Sequence, residues 1–183
     1  MVDTILESAT RVFDDEGITG TTNRIAELAG ISIGSLYQYF PNKESILAQL
    51  ALQHLRTSEA ALIELLDRFD AGCPSREAMA AEIVETVVEL NGHHPRAHAA
   101  MREHAPRTKE LTAEYTAFTE VVVHRIIPHL IRTGTPPSDA PLRARLLIAS
   151  VDGQVHQLIG DTSTAAERAA LTAAITAGLL PHP

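Results

Sequence analysis

The sequence predicts an all-α fold of about nine helices, and three observations predict it. Alanine and leucine are abundant, while β-branched runs are short. Apolar residues recur at helical spacing in most windows. Glycine, proline, threonine and asparagine fall where helices would begin or stop. The 183 residues allow one or two domains with a real core. A hydrophobic share of 45% with 21% charged residues fits a folded protein rather than a disordered one.

The first helix is read over Val2 to Glu16, with Ile5, Leu6, Ala9, Val12 and Phe13 as its apolar stripe. Gly17 stops it. Thr21 or Thr22 caps a second helix that runs to about Ala29 and ends at Gly30. A third, short helix spans Ser32 to Phe40, because Pro41 cannot follow inside it. Asn42 caps a long helix from Lys43 to about Arg68. Pro74-Ser75 opens a fifth helix that ends at Asn91-Gly92. Pro95 suits a first helical position, and that sixth helix stops near Pro106. The seventh spans about Arg107 to Thr133, with a kink expected at Pro128. After the loop TGTPPSDAP comes an eighth helix, Arg143 to Gly160. It is apolar nearly all round and is expected to be buried on several sides. Thr164 and Glu167 form a capping box for a ninth helix ending near Leu180.

Cys73 is the only cysteine, so an internal disulfide and a multi-thiolate metal site are both excluded. No apolar run reaches the length of a membrane span, and no signal-peptide layout is seen. A soluble, cytoplasmic protein is expected. The net charge of -8 speaks against nucleic acid when taken alone.

The segment AGISIGSLYQYFPNK, Ala29 to Lys43, speaks the other way. It carries more hydroxyls than a core helix needs and more aromatics than a surface helix needs. From Thr22 to Phe40 the layout is short helix, glycine turn, short helix, which is a helix-turn-helix. Ala26 suits the close crossing, and Gly30 suits a left-handed turn. Ile25, Ala29, Ile31 and Leu36 supply the apolar seam, and Phe40 packs beside Leu36. The second helix, started by Ser32, then offers its other residues to a duplex. Ser35 and Gln38 are hydrogen-bonding candidates for base edges, and Ile33 can meet a thymine methyl. Gly34 permits close backbone approach. Tyr37 and Tyr39 reach phosphates through their hydroxyls. Thr22 and Lys43 lie at helix starts that favour an anion.

Residues 5 to 47 resemble the DNA-binding domain of the TetR family of bacterial transcriptional regulators. The matching pieces are ILESATRVFDDEGITGTT, IAELAGISIGSLYQYFPNKE and the helix that follows. The resemblance implies a helix-turn-helix domain of three helices over residues 1–46. It implies a larger helical domain over 47–183 that binds an effector and dimerises. It further implies a homodimer on a palindromic operator of double-stranded DNA, in most members a repressor released by a small molecule. One departure stands out. Many members carry a basic arm before the first helix, whereas this chain begins Met1-Val2-Asp3. Residues 1–56 hold four Lys/Arg against seven Asp/Glu. A helical, ligand-sensing dimer without DNA binding is the alternative reading.

In the second half, Leu111, Tyr115, Phe118, Val122 and Ile126 form one stripe. His98, Met101, Tyr115, Phe118 and Val122 are the candidate liners of an effector pocket, and they suggest a small, mostly apolar ligand. Leu146, Ala149, Gly153 and His156 are the candidate dimer seam, with small residues that allow close helix approach. His94 and His98 have a spacing that can share zinc, but no carboxylate or thiolate is fixed beside them in sequence. No metal and no cofactor are expected. No phosphate loop, nucleophile elbow or metalloprotease signature is present, so an enzyme is not expected.

Overall fold

In the computed structural model of the protein, residues 1–158 and 164–179 are described. These residues form nine α-helices and no strand. The helices are α1 (Val2–Glu16), α2 (Thr22–Leu28), α3 (Ile33–Tyr39), α4 (Lys43–Gly72), α5 (Arg76–Gly92), α6 (Pro95–His104), α7 (Lys109–Arg132), α8 (Ala140–Leu158) and α9 (Ala165–Leu179). A 3-10 turn, Gly17–Thr19, follows α1. The chain divides into two compact units. The first comprises residues 1–56 and 93–115, and the second comprises 57–92 and 116–183.

The first unit is built on α1. Ile5, Ala9 and Phe13 are fully buried, and Leu6 and Val12 nearly so. That is the stripe expected from helical spacing. Thr21 caps α2 by accepting from Arg24 N at 3.2 Å. Gly30 takes φ +69 in the turn. There an L side chain is strained, and glycine is not. Ser32 caps α3 by accepting from Ser35 N at 3.0 Å. Leu36 and Phe40 turn inward with Ile25 and Ala26. Asn42 caps α4, with Oδ1 accepting from Ser45 N at 2.8 Å.

α6 joins the same core through Ala97 and Ala100. Its N-terminus is capped from α1. Asp14 Oδ1 accepts from the backbone N of Arg96 at 3.2 Å and of Ala97 at 3.4 Å. Asp14 Oδ2 lies 3.2 Å from His94 Nδ1. Arg96 also reaches across to the carbonyl oxygen of Asp15. His98 sits edge-to-face on His54, with ring centroids 4.6 Å apart.

The second unit buries Leu65, Leu66, Phe69, Val84, Val122, Ile126, Val151 and Ile175 in one cluster. Ion pairs link its helices as well. Arg125 joins Asp67 at 2.6 Å and Asp70 at 2.9 Å. Arg145 pairs with Glu120 in a fork at 2.7 and 3.1 Å. α4 runs four residues beyond the expected Arg68 and is followed by Cys73 at φ 46. Arg132 holds that turn by donating to the carbonyls of Cys73 at 3.1 Å and Pro74 at 2.9 Å. The capping box is present: Glu167 N donates to Thr164 Oγ1 at 3.2 Å, and Thr164 N to Glu167 Oε2 at 2.7 Å. The bonds that Thr164 donates to Glu167 Oε2, from its backbone N and then its Oγ1, hold the carboxyl below its ordinary range.

Two expectations are corrected. α8 starts at Ala140, three residues before the expected Arg143. Helical hydrogen bonding already begins in the proline loop, where Pro136 O accepts from Ala140 N. α8 is also not buried on several sides. Ala144, Val151 and Val155 are buried, whereas Leu142 is 63% and Leu146 56% exposed. The expected ends of the last two helices, at Gly160 and Leu180, lie outside the described residues.

Candidate functional site

α2, Gly30 and α3 carry the predicted duplex-facing residues other than Lys43, and two pairs of them, Thr22 with Tyr37 and Ser32 with Ser35, come together. The apolar back of this helix-turn-helix is sealed by Ile25 and Leu36, both fully buried. Its outer side is polar and open. Tyr37 and Tyr39 are each 48% exposed, and Gln38 and Gly34 are exposed as well. The Tyr37 hydroxyl lies 3.2 Å from Thr22 Oγ1. Two of the four side chains read as phosphate contacts therefore meet, although they stand on different helices. Between two hydroxyls only one proton is shared, so one donor remains for a third group.

Ser32 and Ser35 form a second hydroxyl pair, 2.8 Å apart. Ile33 is partly buried and packs against the core rather than standing clear of it. Gly34 carries information by contrast with Gly20. A Cβ added at Gly20 would meet Val12 Cγ1 at 2.7 Å, so packing demands that glycine. A Cβ at Gly34 would meet only Ser32 Oγ, at 3.8 Å. The fold does not need a glycine at 34. In a helix it costs roughly 0.5–1 kcal/mol relative to alanine.

Lys43 is the first residue of α4, and its ammonium folds back. Nζ donates to Ile18 O at 2.6 Å and Gly20 O at 3.5 Å, holding the turn that leads into α2. An ammonium has three protons, so one remains. Arg24 is occupied by acidic neighbours, Glu27 at 2.8 Å and Glu16 at 3.5 Å. The site is thus a hydroxyl-rich surface with few free cations.

The candidate effector residues are dispersed. His98, Met101 and Tyr115 belong to the first unit, and Phe118 and Val122 to the second. Val122 is 4% exposed within the core, whereas Tyr115 is exposed. The second unit does hold an open cleft of about 600 Å³, and none of these five lines it. Its floor is apolar, made by Met79, Ile83, Ile126, Leu130 and Leu147. Its polar margin includes Arg76, Thr135, Asp139 and Arg143. Arg76 Nη2 donates to Thr133 O at 3.0 Å and Thr135 Oγ1 at 2.8 Å, while its Nε is buried with no partner. A buried donor left unpaired costs roughly 1–3 kcal/mol. Sequence spacing carries no sign of this cleft, because its walls come from three helices far apart in the chain.

Of the candidate seam, Leu146 and Ala149 are exposed and Gly153 is half-buried on α8. Leu146 also borders the cleft. The His156 side chain lies outside the described residues. Among the described residues no three His, Cys, Asp or Glu side chains are grouped as metal ligands. No described helix is long and apolar enough to cross a membrane.

The fold and site together define a helical protein that presents a helix-turn-helix. Residues 5–50 match the sequence model of the family described as bacterial regulatory proteins, tetR family. Over those residues the chain is similar to the TetR family of bacterial regulatory proteins. Solved structures share its fold. FadR of Bacillus subtilis, solved in complex with stearoyl-CoA, is 17% identical with a TM-score of 0.71, covering 98% of this chain and 97% of its own. A transcriptional regulator from Rhodococcus sp. Rha1 is 22% identical at TM-score 0.71, with 98% and 94% covered. The TetR-family regulator PfmR of Thermus thermophilus is 18% identical at TM-score 0.67, with 100% and 98% covered.

Proposed function

We propose that the protein is a homodimeric repressor that grips a palindromic operator through two copies of the α2–α3 surface and leaves it when a small, mostly apolar effector binds. The observation that carries the DNA reading is the Thr22–Tyr37 pair beside the exposed Gln38, Tyr39 and Gly34, on a back of fully buried Ile25 and Leu36. In this reading Thr22, Tyr37, Tyr39 and the remaining proton of Lys43 meet phosphates. Ser35 and Gln38 meet base edges, and Ser32 orients Ser35. Ile33 offers an apolar edge, and Gly34 lets the backbone approach.

Residues 1–46 serve DNA in this account, and 47–183 serve the effector and the dimer. The packing units divide the chain differently, since 93–115 returns to the first. The exposed Leu146 and Ala149, on one face of α8 with Gly153, support a seam between two copies. A cytoplasmic location follows from a role on DNA. That a fold relative was solved with stearoyl-CoA supports an effector with a long apolar part. The effector acts only if it binds the released state more tightly than the DNA-bound state.

The test is selection from a random duplex pool by the purified protein. An enriched inverted repeat with half-sites about one helical turn apart supports the reading. A folded protein that enriches nothing contradicts it. The alternative, a ligand-sensing dimer that has lost DNA binding, is favoured by the head's four cations against seven anions, and would then stand.

A further inference from the structure

We infer that the cleft between α5, α7 and α8 is the effector site, and that it takes an amphipathic anion: an unbranched apolar chain ending in a carboxylate. The regulatory consequence rests on the proposed function; the binding itself does not.

The cleft's size suits a small ligand, at about 600 Å³. Its lining is largely apolar, with Met79 and Ile83 of α5, Ile126 and Leu130 of α7, and Leu147 of α8, and Ser150 of α8 adds one hydroxyl among them. A flexible chain can lie along such a floor, with the adaptable Met79 side chain accommodating it. The margin is where the ligand's head is specified. Arg143 is exposed and has no ion-pair partner among the described residues. Arg76 brings a second guanidinium, anchored through Nη2 and with a buried Nε still lacking an acceptor. Asp139, the one carboxylate at this margin among the described residues, already accepts from Ser138 Oγ at 2.9 Å. Two guanidinium groups against one carboxylate leave the margin positive, in a chain whose net charge is -8. A carboxylate head fits guanidinium donors in geometry as well as charge. A polyphosphate is disfavoured, because it would place Asp139 against several negative charges.

The probes are decanoate, 1-decanol and decyltrimethylammonium, which share a ten-carbon chain and differ in the head. Binding to the full-length protein is measured by calorimetry, with methyl NMR shifts of Ile83 and Leu147 reporting the place. The expected result is decanoate binding at least tenfold tighter than decanol, with both methyl groups shifting and no binding of the cation. Arg143→Gln, an exposed position, should erase the preference for decanoate while leaving decanol binding unchanged. Equal binding of decanoate and decanol, or decanoate binding that leaves the Ile83 and Leu147 methyls unmoved, overturns the inference. So does a shift of those methyls on protein dilution alone, which would make the cleft a contact between copies. Operator selection is scored separately. A protein that selects an operator but ignores decanoate loses only this inference. One that binds decanoate in the cleft but selects no DNA loses only the repressor reading.

Discussion

The Tyr37 hydroxyl lies 3.2 Å from Thr22 Oγ1, so one hydrogen bond joins the first residue of α2 to the middle of α3. Both residues sit at the outer side of the helix-turn-helix, where Tyr37 is half exposed. Tyr37→Phe keeps the ring and removes the shared donor. The expected loss is about tenfold in operator affinity, the scale of one hydrogen bond to a charged oxygen. Thermal stability should be nearly unchanged, because the bond is exposed. Fluorescence anisotropy and a melting curve of the same sample check both.

Gly34→Ala should separate stability from function. The added methyl meets nothing closer than Ser32 Oγ at 3.8 Å. The helix should gain roughly 0.5–1 kcal/mol. Operator affinity should fall if the backbone at 34 approaches the duplex. Denaturant midpoints and anisotropy read the two effects, and a variant that gains stability with unchanged affinity would remove Gly34 from the contact surface.

Asp14→Ala removes the cap that α1 supplies to α6. The backbone donors of Arg96 and Ala97 lose their carboxylate acceptor. A lost cap costs about 1 kcal/mol, within a range of roughly 0.5–2. Amide exchange at Arg96 and Ala97 should accelerate by a comparable factor, and Asp14→Asn should restore most of the protection. Unchanged exchange at both amides would mean that the cap carries no local stability.

His129 should make the second unit sensitive to acid. Its side chain is buried, and burial holds the imidazole below its ordinary value. Asp70, with Oδ1 at 3.3 Å from Nε2, opposes that shift, but off the line of a hydrogen bond; Arg132 and Arg125 reinforce it. The Phe69 ring stands edge-on at 5.9 Å and offers no compensation for a charge. The unfolded chain therefore binds this proton first, near pH ~6.5, and the folded protein only at lower pH. Stability is complete above that pH and declines as pH falls from the unfolded value through the folded one. Urea midpoints between about pH 7.5 and 5.5 should fall, and His129→Gln should flatten the slope. An equal slope in both proteins would place the acid sensitivity elsewhere.

Much of the first unit was legible because its signals are local. The α1 stripe, the Gly30 turn, the Leu36–Phe40 pair and the Thr164–Glu167 box of the second unit each depend on residues within about four positions of one another. Thr22 and Tyr37 were also legible, as polar tips on helices whose apolar faces were already assigned. What escaped depends on distant residues. α6 enters the first unit through Ala97 and Ala100, too small to give a strong periodic signal, and takes its cap from Asp14. α8 was read as buried because leucine and alanine dominate it, yet Leu142 and Leu146 face outward. Composition does not distinguish a core face from an unpaired one. The cleft was invisible for the same reason: Arg76 and Arg143 line one cleft only after three helices pack. Lys43 showed its helix-start position but not its engagement with Ile18 and Gly20.

The most direct measurement is the affinity of the full-length protein for its selected duplex against a scrambled one, at two salt concentrations. Nanomolar, site-selective binding with a shallow salt dependence is expected, because hydroxyls and backbone donors outnumber free cations on the α2–α3 surface. Binding that shows no preference for the selected duplex at low salt, by a folded protein free of ligand, would contradict the central claim and leave a helical sensor without an operator.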